Sequence, residues 1–180
     1  MPPGGFDQRT RAGAFGMQNS LPLAARQDVL TFVTSPLERD VEVTGPITVI
    51  LWASSSAFDT DFTAKLIDVY PPSPDYPDGY ALNLTDSIIR ARYRNSWTKP
   101  ELLTLGDIYQ FTITLYPTSN LFMQGHQIRL DVSSSNFPRF DVNPNTGRPL
   151  GEPGSMMVAE NTIYHGAVYP SHIVLPIIPE

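Results

Sequence analysis

His126, His165 and His172 are the only imidazoles in the chain, so general-base chemistry near neutral pH would fall to one of them. A serine hydrolase needs a nucleophile beside that base and a carboxylate to orient it. Serines come in runs at 54–56 and 133–135, each closing an apolar segment, and no G-x-S-x-G elbow surrounds them. His126 opens a stretch of alternating polarity, and His165 and His172 flank GAVYPS. Each reads more simply as a hydrogen-bonded histidine at a strand end. An enzyme site built on His165 or His172 stays as one alternative, revived if ester turnover is lost on His→Ala.

Metal chemistry has little more to work with. Asp59, Asp61 and Asp68 offer hard oxygen ligands, and a structural calcium there stays open. No D-x-D-x-D-G loop follows them, however, and Asp59 serves equally well as a turn cap. Two histidines seven residues apart across a turn make a poor zinc pattern. GxGxxG is absent, so no phosphate cradle is read, and no cofactor is expected. The absence of cysteine excludes disulfides and thiolate nucleophiles. The net charge of −6 reflects scarce lysine and arginine, with no basic patch, which argues against nucleic acid. Trp52, Trp97 and the eight tyrosines supply aromatic surface. A binding module for a glycan or peptide is therefore a second alternative, although aromatics more often pack in cores and turns.

The elements that would position these residues are short strands. Eighteen prolines and twelve glycines in 180 residues suit strands joined by many turns. Residues 1–27 read as an irregular lead-in and 28–180 as one β domain. DVLTFVT opens the domain, followed by VEVTG ending at Gly45-Pro46, ITVILWASSS, and DFTAKLIDVY. YALNLTD and SIIRARYR pair as strands, or the second forms a short helix. DIYQFTITLYP puts Tyr109, Phe111, Ile113 and Leu115 on one face. HQIRLDVSS points Ile128, Leu130 and Val132 inward, with Gln127, Arg129 and Asp131 outward. MVAENTIYH and HIVLPII complete about nine or ten strands. The fold class is all-β: a jelly-roll β-sandwich (galactose-binding-domain-like) of two antiparallel sheets, ahead of an immunoglobulin-like one.

In ITVILWA both faces are apolar: Ile47, Val49 and Leu51 on one, Ile50 and Trp52 on the other. Either a piece of this chain covers the outer face, or another domain does. No apolar run is long enough to cross a bilayer, so no membrane partner is expected. The opening MPPGGFDQRTRAG lacks the apolar core of a secretory signal, which favours the cytoplasm and leaves the compartment otherwise open.

Four stretches, in this order, carry a specific resemblance. They are FDQR (6–9), the long run from ARQDVLTFVTSPLERD to DTDFTAKLIDVYPP (25–72), QIRLDVSSSNFPRFDVNPNTG (127–147), and NTIYHGAVYPSHIVLPIIP (161–179). Together they resemble the C-terminal non-catalytic domain of the X-Pro dipeptidyl-peptidase and cocaine-esterase-like hydrolases, a family that includes α-amino acid ester hydrolases and glutaryl acylases. The resemblance implies partners: an α/β-hydrolase catalytic domain with a Ser-Asp-His triad, and a helical cap, neither of which is in this sequence. It implies that residues 1–27 are the connection from that catalytic part and that no catalytic residue lies here. PPSPDYPDGY, with its four prolines, departs from the family's short turn. The resemblance gives the SSSNFPRFDVNPNTG loop a purpose. Asn136, Phe137, Arg139, Phe140 and Asp141, with Trp52 on its strand, are the candidate docking residues: phenylalanine for apolar area, arginine for a forked donor, asparagine for a local turn bond. The competing reading is that Arg139 and Asp141 brace their own loop. Self-association through the same exposed surface is the remaining partner expectation.

Overall fold

A computed structural model describes residues 27–149, 151, 152 and 154–179. The irregular lead-in expected over 1–27 therefore lies, apart from Gln27, outside the described residues. Eight strands form among the described residues: β1 (Val29–Val33), β2 (Val41–Ser55), β3 (Asp61–Tyr70), β4 (Tyr80–Arg90), β5 (Tyr109–Phe122), β6 (Gln127–Ser133), β7 (Asn161–Tyr164) and β8 (His172–Val174). One sheet runs β1-β6-β3-β4. The other runs β5-β2-β7, and β8 also pairs with β2. Every pairing is antiparallel. From β1 to β3, and again from β4 to β7, the chain changes sheet at each connection. This is a β-sandwich of jelly-roll type.

The alternation of polarity explains the core. On β5, Phe111, Ile113 and Leu115 are buried while Gln110, Thr112 and Thr114 face solvent. They meet Val43, Ile47, Val49 and Leu51 of β2, and Phe62, Ala64 and Leu66 of β3 close the same cluster from the opposite sheet. The Phe62 and Phe111 rings lie 4.8 Å apart at its centre. Truncating either to alanine should cost about 3 to 5 kcal/mol, because the cavity could not collapse between two sheets.

Three readings of the strands need correction. VEVTG and ITVILWASS are one fifteen-residue strand, because a bulge between Gly45 and Ile47 absorbs Pro46, which has no N–H to give the ladder. YALNLTD and SIIR are likewise one strand, and the helical tendency survives only as a single 3-10 turn at Ala91–Tyr93. These two mergers bring the strand count to eight. Finally, Arg129 and Asp131 do not face water. They are buried on the outer side of β6, held to each other by two bonds of 2.9 Å. β6 is an inner strand between β1 and β3, so neighbouring side chains wall the pair in.

Candidate functional site

The loops that leave β2, β4 and β6 gather at one end of the sandwich, and a buried polar network ties them together. Asp59 and Asp61 sit where the chain turns into β3, both essentially inaccessible. Asp59 accepts from the Arg92 backbone N–H at 2.9 Å and from its Nε at 2.8 Å. Asp61 takes the Arg90 guanidinium in a two-point fork at 2.8 and 2.9 Å. That fork raises the pKa of Arg90 above its ordinary value. Between the two aspartates stands Asn143. Its Nδ2 donates to Asp59 at 2.9 Å and to Asp61 at 2.8 Å. Its Oδ1 accepts the backbone N–H of Asn145, and Asn145, at φ 64°, donates onward to the Met157 carbonyl. Each charge is paired and each carboxylate oxygen accepts at least one hydrogen bond, the condition under which buried ions are tolerated.

This network was not read from the sequence. Nothing in NPNTG says that Asn143 reaches a carboxylate 84 positions earlier. The only available signal was the coincidence of DTD, RARYR and NPN in one chain. The network also disposes of Asp59 as a simple turn cap, since its oxygens go to Arg92 and Asn143. Asp68 lies at the far end of β3, so the three aspartates considered for calcium do not converge.

The candidate docking residues divide into two groups. Asn136 Nδ2 donates to Asp86 on β4 at 2.9 Å, and Arg139 Nη1 lies 2.5 Å from the same buried carboxyl. The Arg139 guanidinium also lies near the rings of Tyr116 and Phe140. Asn136 and Arg139 thus fasten the loop to its own sheet. Phe137 points the other way and is 70% exposed. Asp141 is exposed and close enough to Arg90 to contribute to its raised pKa. Trp52 is half-buried beneath its own chain: Tyr169 packs on it at 5.3 Å, and its backbone N–H donates to Ser171 Oγ at 2.8 Å. The outer face of β2 at Trp52 is thus covered from the C-terminal segment.

The histidines take up separate posts. His126 is buried, with Nδ1 2.8 Å from Asp68 and its ring under Tyr70. Burial raises the Asp68 pKa against the opposing bonds from Asn120 and His126. His172 Nδ1 meets the Pro170 carbonyl at 2.6 Å, and His165 lies edge-on to Phe32. Among the described residues no serine hydroxyl is hydrogen-bonded to an imidazole. Two surface hollows of about 420 and 400 Å³ are lined by neither Trp52 nor Trp97.

Comparison with known proteins places this geometry. A family model described as the X-Pro dipeptidyl-peptidase C-terminal non-catalytic domain matches residues 6–174. The chain is 47% identical over 168 residues to the cocaine esterase of Rhodococcus sp. (strain MB1 Bresler), covering 92% of this chain but 28% of that protein. Among solved structures, an α-amino acid ester hydrolase superposes with a TM-score of 0.83 at 37% identity, over 96% of this chain and 27% of that one. An aminopeptidase from a marine sediment Thaumarchaeota archaeon gives 0.82 at 36% identity, over 87% of this chain and 27% of its own. The chain thus spans a little over a quarter of these relatives. With a two-sheet fold and a match across nearly its whole length, it belongs to the family of X-Pro dipeptidyl-peptidase C-terminal non-catalytic domains.

Proposed function

We propose that this domain is the mechanical accessory of an α/β-hydrolase-type serine hydrolase acting on esters, amides or Xaa-Pro bonds. It packs on the catalytic portion and helps to shape the surroundings of the active site. The observation that carries this reading is the pairing of 47% identity across 92% of the chain with coverage of only 28% of the esterase it matches. The fold fits the role. Three of its buried carboxylates, Asp59, Asp61 and Asp86, are engaged in holding loops to the sheets.

The 134–141 loop is suited to docking because its two halves do different work. Asn136 and Arg139 hold it from beneath, and Phe137 between them is offered outward from backbone that is already tied down, so little loop ordering is left to pay on contact. The test uses Phe137→Ala and Arg139→Ala, each made at the matching position of a full-length relative and in this chain alone. Phe137→Ala should lower the activity or melting temperature of the full-length enzyme while leaving the isolated domain unchanged. Arg139→Ala should lower the melting temperature of both. Unchanged values for Phe137→Ala in the full-length enzyme would remove the docking role from this loop.

A further inference from the structure

Resting on the accessory reading, we infer that the end of the sandwich seated on the Asp59–Asn143–Asp61 network is the face that docks on the catalytic portion. Phe58 and Leu102 lean together over Gly147: a Cβ there would lie 3.0 Å from Phe58 Cβ and 3.2 Å from Leu102 Cδ1. Both side chains are nonetheless more than two-fifths exposed, as is Leu105. Trp97 at 76%, Met156 at 63% and Val158 at 90% belong to the connections that meet at this same end. Hydrogen bonds place them there. Leu103 N–H donates to the Phe58 carbonyl, Gly106 N–H to the Ser55 carbonyl, and Met157 N–H to the Pro144 carbonyl. So many exposed apolar side chains gathered at one end of the sandwich mark an interaction site rather than chance.

Two further observations select the occupant. First, this face is rigid. Phe58 adjoins Asp59, Trp97 lies between Arg92 and Glu101 (joined by a backbone bond of 2.8 Å), and Met157 is tied through Asn145 to Asn143. A preformed apolar surface suits a permanent partner, because little ordering cost remains. Second, the polypeptide enters the sandwich here. Val29 pairs with Ser133, and Ser133 Oγ donates to the Asp28 carbonyl, so residue 28 stands at this end and not at the turn end of β3. A portion joined ahead of the domain is tethered to the sandwich at this end, which makes contact with it intramolecular.

The experiment is a full-length chimera, the Rhodococcus cocaine esterase carrying this chain in place of its matching 168 residues. Its esterase turnover and its half-life of thermal inactivation are measured, together with the melting temperature of each variant as the isolated chain. Trp97→Asp, at the most exposed ring, and Leu102→Asp should shorten the half-life at least tenfold. The isolated chain should melt unchanged with Trp97→Asp, which separates docking from folding. Met123→Asp, beyond β5 at the opposite end, should leave the half-life within twofold of the parent. A chimera that neither folds nor turns over ester with the unaltered chain would defeat the accessory reading itself. An active chimera indifferent to both end substitutions but sensitive to Met123→Asp would leave that reading standing and overturn the choice of face.

Discussion

Asn143→Ala is the substitution that should cost the isolated domain most for the fewest atoms removed. The side chain makes two short bonds to aspartates that water does not reach and accepts a third from Asn145 N–H. A hydrogen bond to a charged group contributes about 1.5 to 3 kcal/mol. Arg92 and Arg90 remain in place, so neither carboxylate becomes an unpaired buried ion and the larger penalty of 3 to 5 kcal/mol per broken pair is avoided. The two bonds together thus come to about 3 to 6 kcal/mol. For a domain of this length that lowers the melting temperature by roughly 10 °C. Urea unfolding followed by tryptophan fluorescence reads the free energy. Limited trypsin digestion reads the local consequence, because cleavage after Arg139 should accelerate once the 134–149 loop loses its far anchor. Asn143→Asp should be worse at neutral pH, since it sets a third carboxylate against two others and gives up the donor. A shift below about 2 °C for Asn143→Ala would mean that the network does not hold the loops, and the rigidity argued for this end would fall with it.

The other expectations are narrower. Gly147→Ala should cost about 2 kcal/mol, because φ is +73° and the new methyl meets Phe58 and Leu102 at 3.0 and 3.2 Å; a neutral result would show that this contact yields. Burial raises the Asp131 pKa despite Arg129. The folded state therefore holds that proton more tightly than the unfolded state, and this group's contribution to stability falls as pH rises from about 4 through the raised value. Wild type measured against Asp131→Asn between pH 3.5 and 8 should lose ground as pH rises, and a difference that grows with pH would contradict the assignment. In the isolated chain, Arg139→Ala should destabilise and Phe137→Ala should not. Equal losses would mean that Phe137 packs on its own domain.

Much of the fold could be read from alternation because a sandwich buries one face of nearly every strand. DFTAKLIDVY became β3 at residues 61–70, and Phe111, Ile113 and Leu115 turned inward together. Punctuation misled at Gly45-Pro46, where a strong local breaker was outvoted by ladders to β5 on either side of the bulge. Polarity misled at Arg129 and Asp131, because a charged pair that satisfies itself can sit on a covered face. The end network was illegible for a different reason. Asn143, Asp59 and Arg92 are individually ordinary turn and strand-end residues, and only the jelly-roll crossings bring them together. All the docking candidates but Trp52 lie in one loop, and the structure separates its anchors, Asn136 and Arg139, from the offered ring of Phe137, a distinction of side-chain direction that residue types do not carry.

The most direct test sets this chain alone beside the cocaine-esterase chimera and measures p-nitrophenyl ester turnover in both. The account predicts no turnover above buffer for the isolated chain, and activity in the chimera that survives heating longer than in the esterase lacking the segment. Turnover by the isolated chain that disappears with His165→Ala or His172→Ala would contradict it.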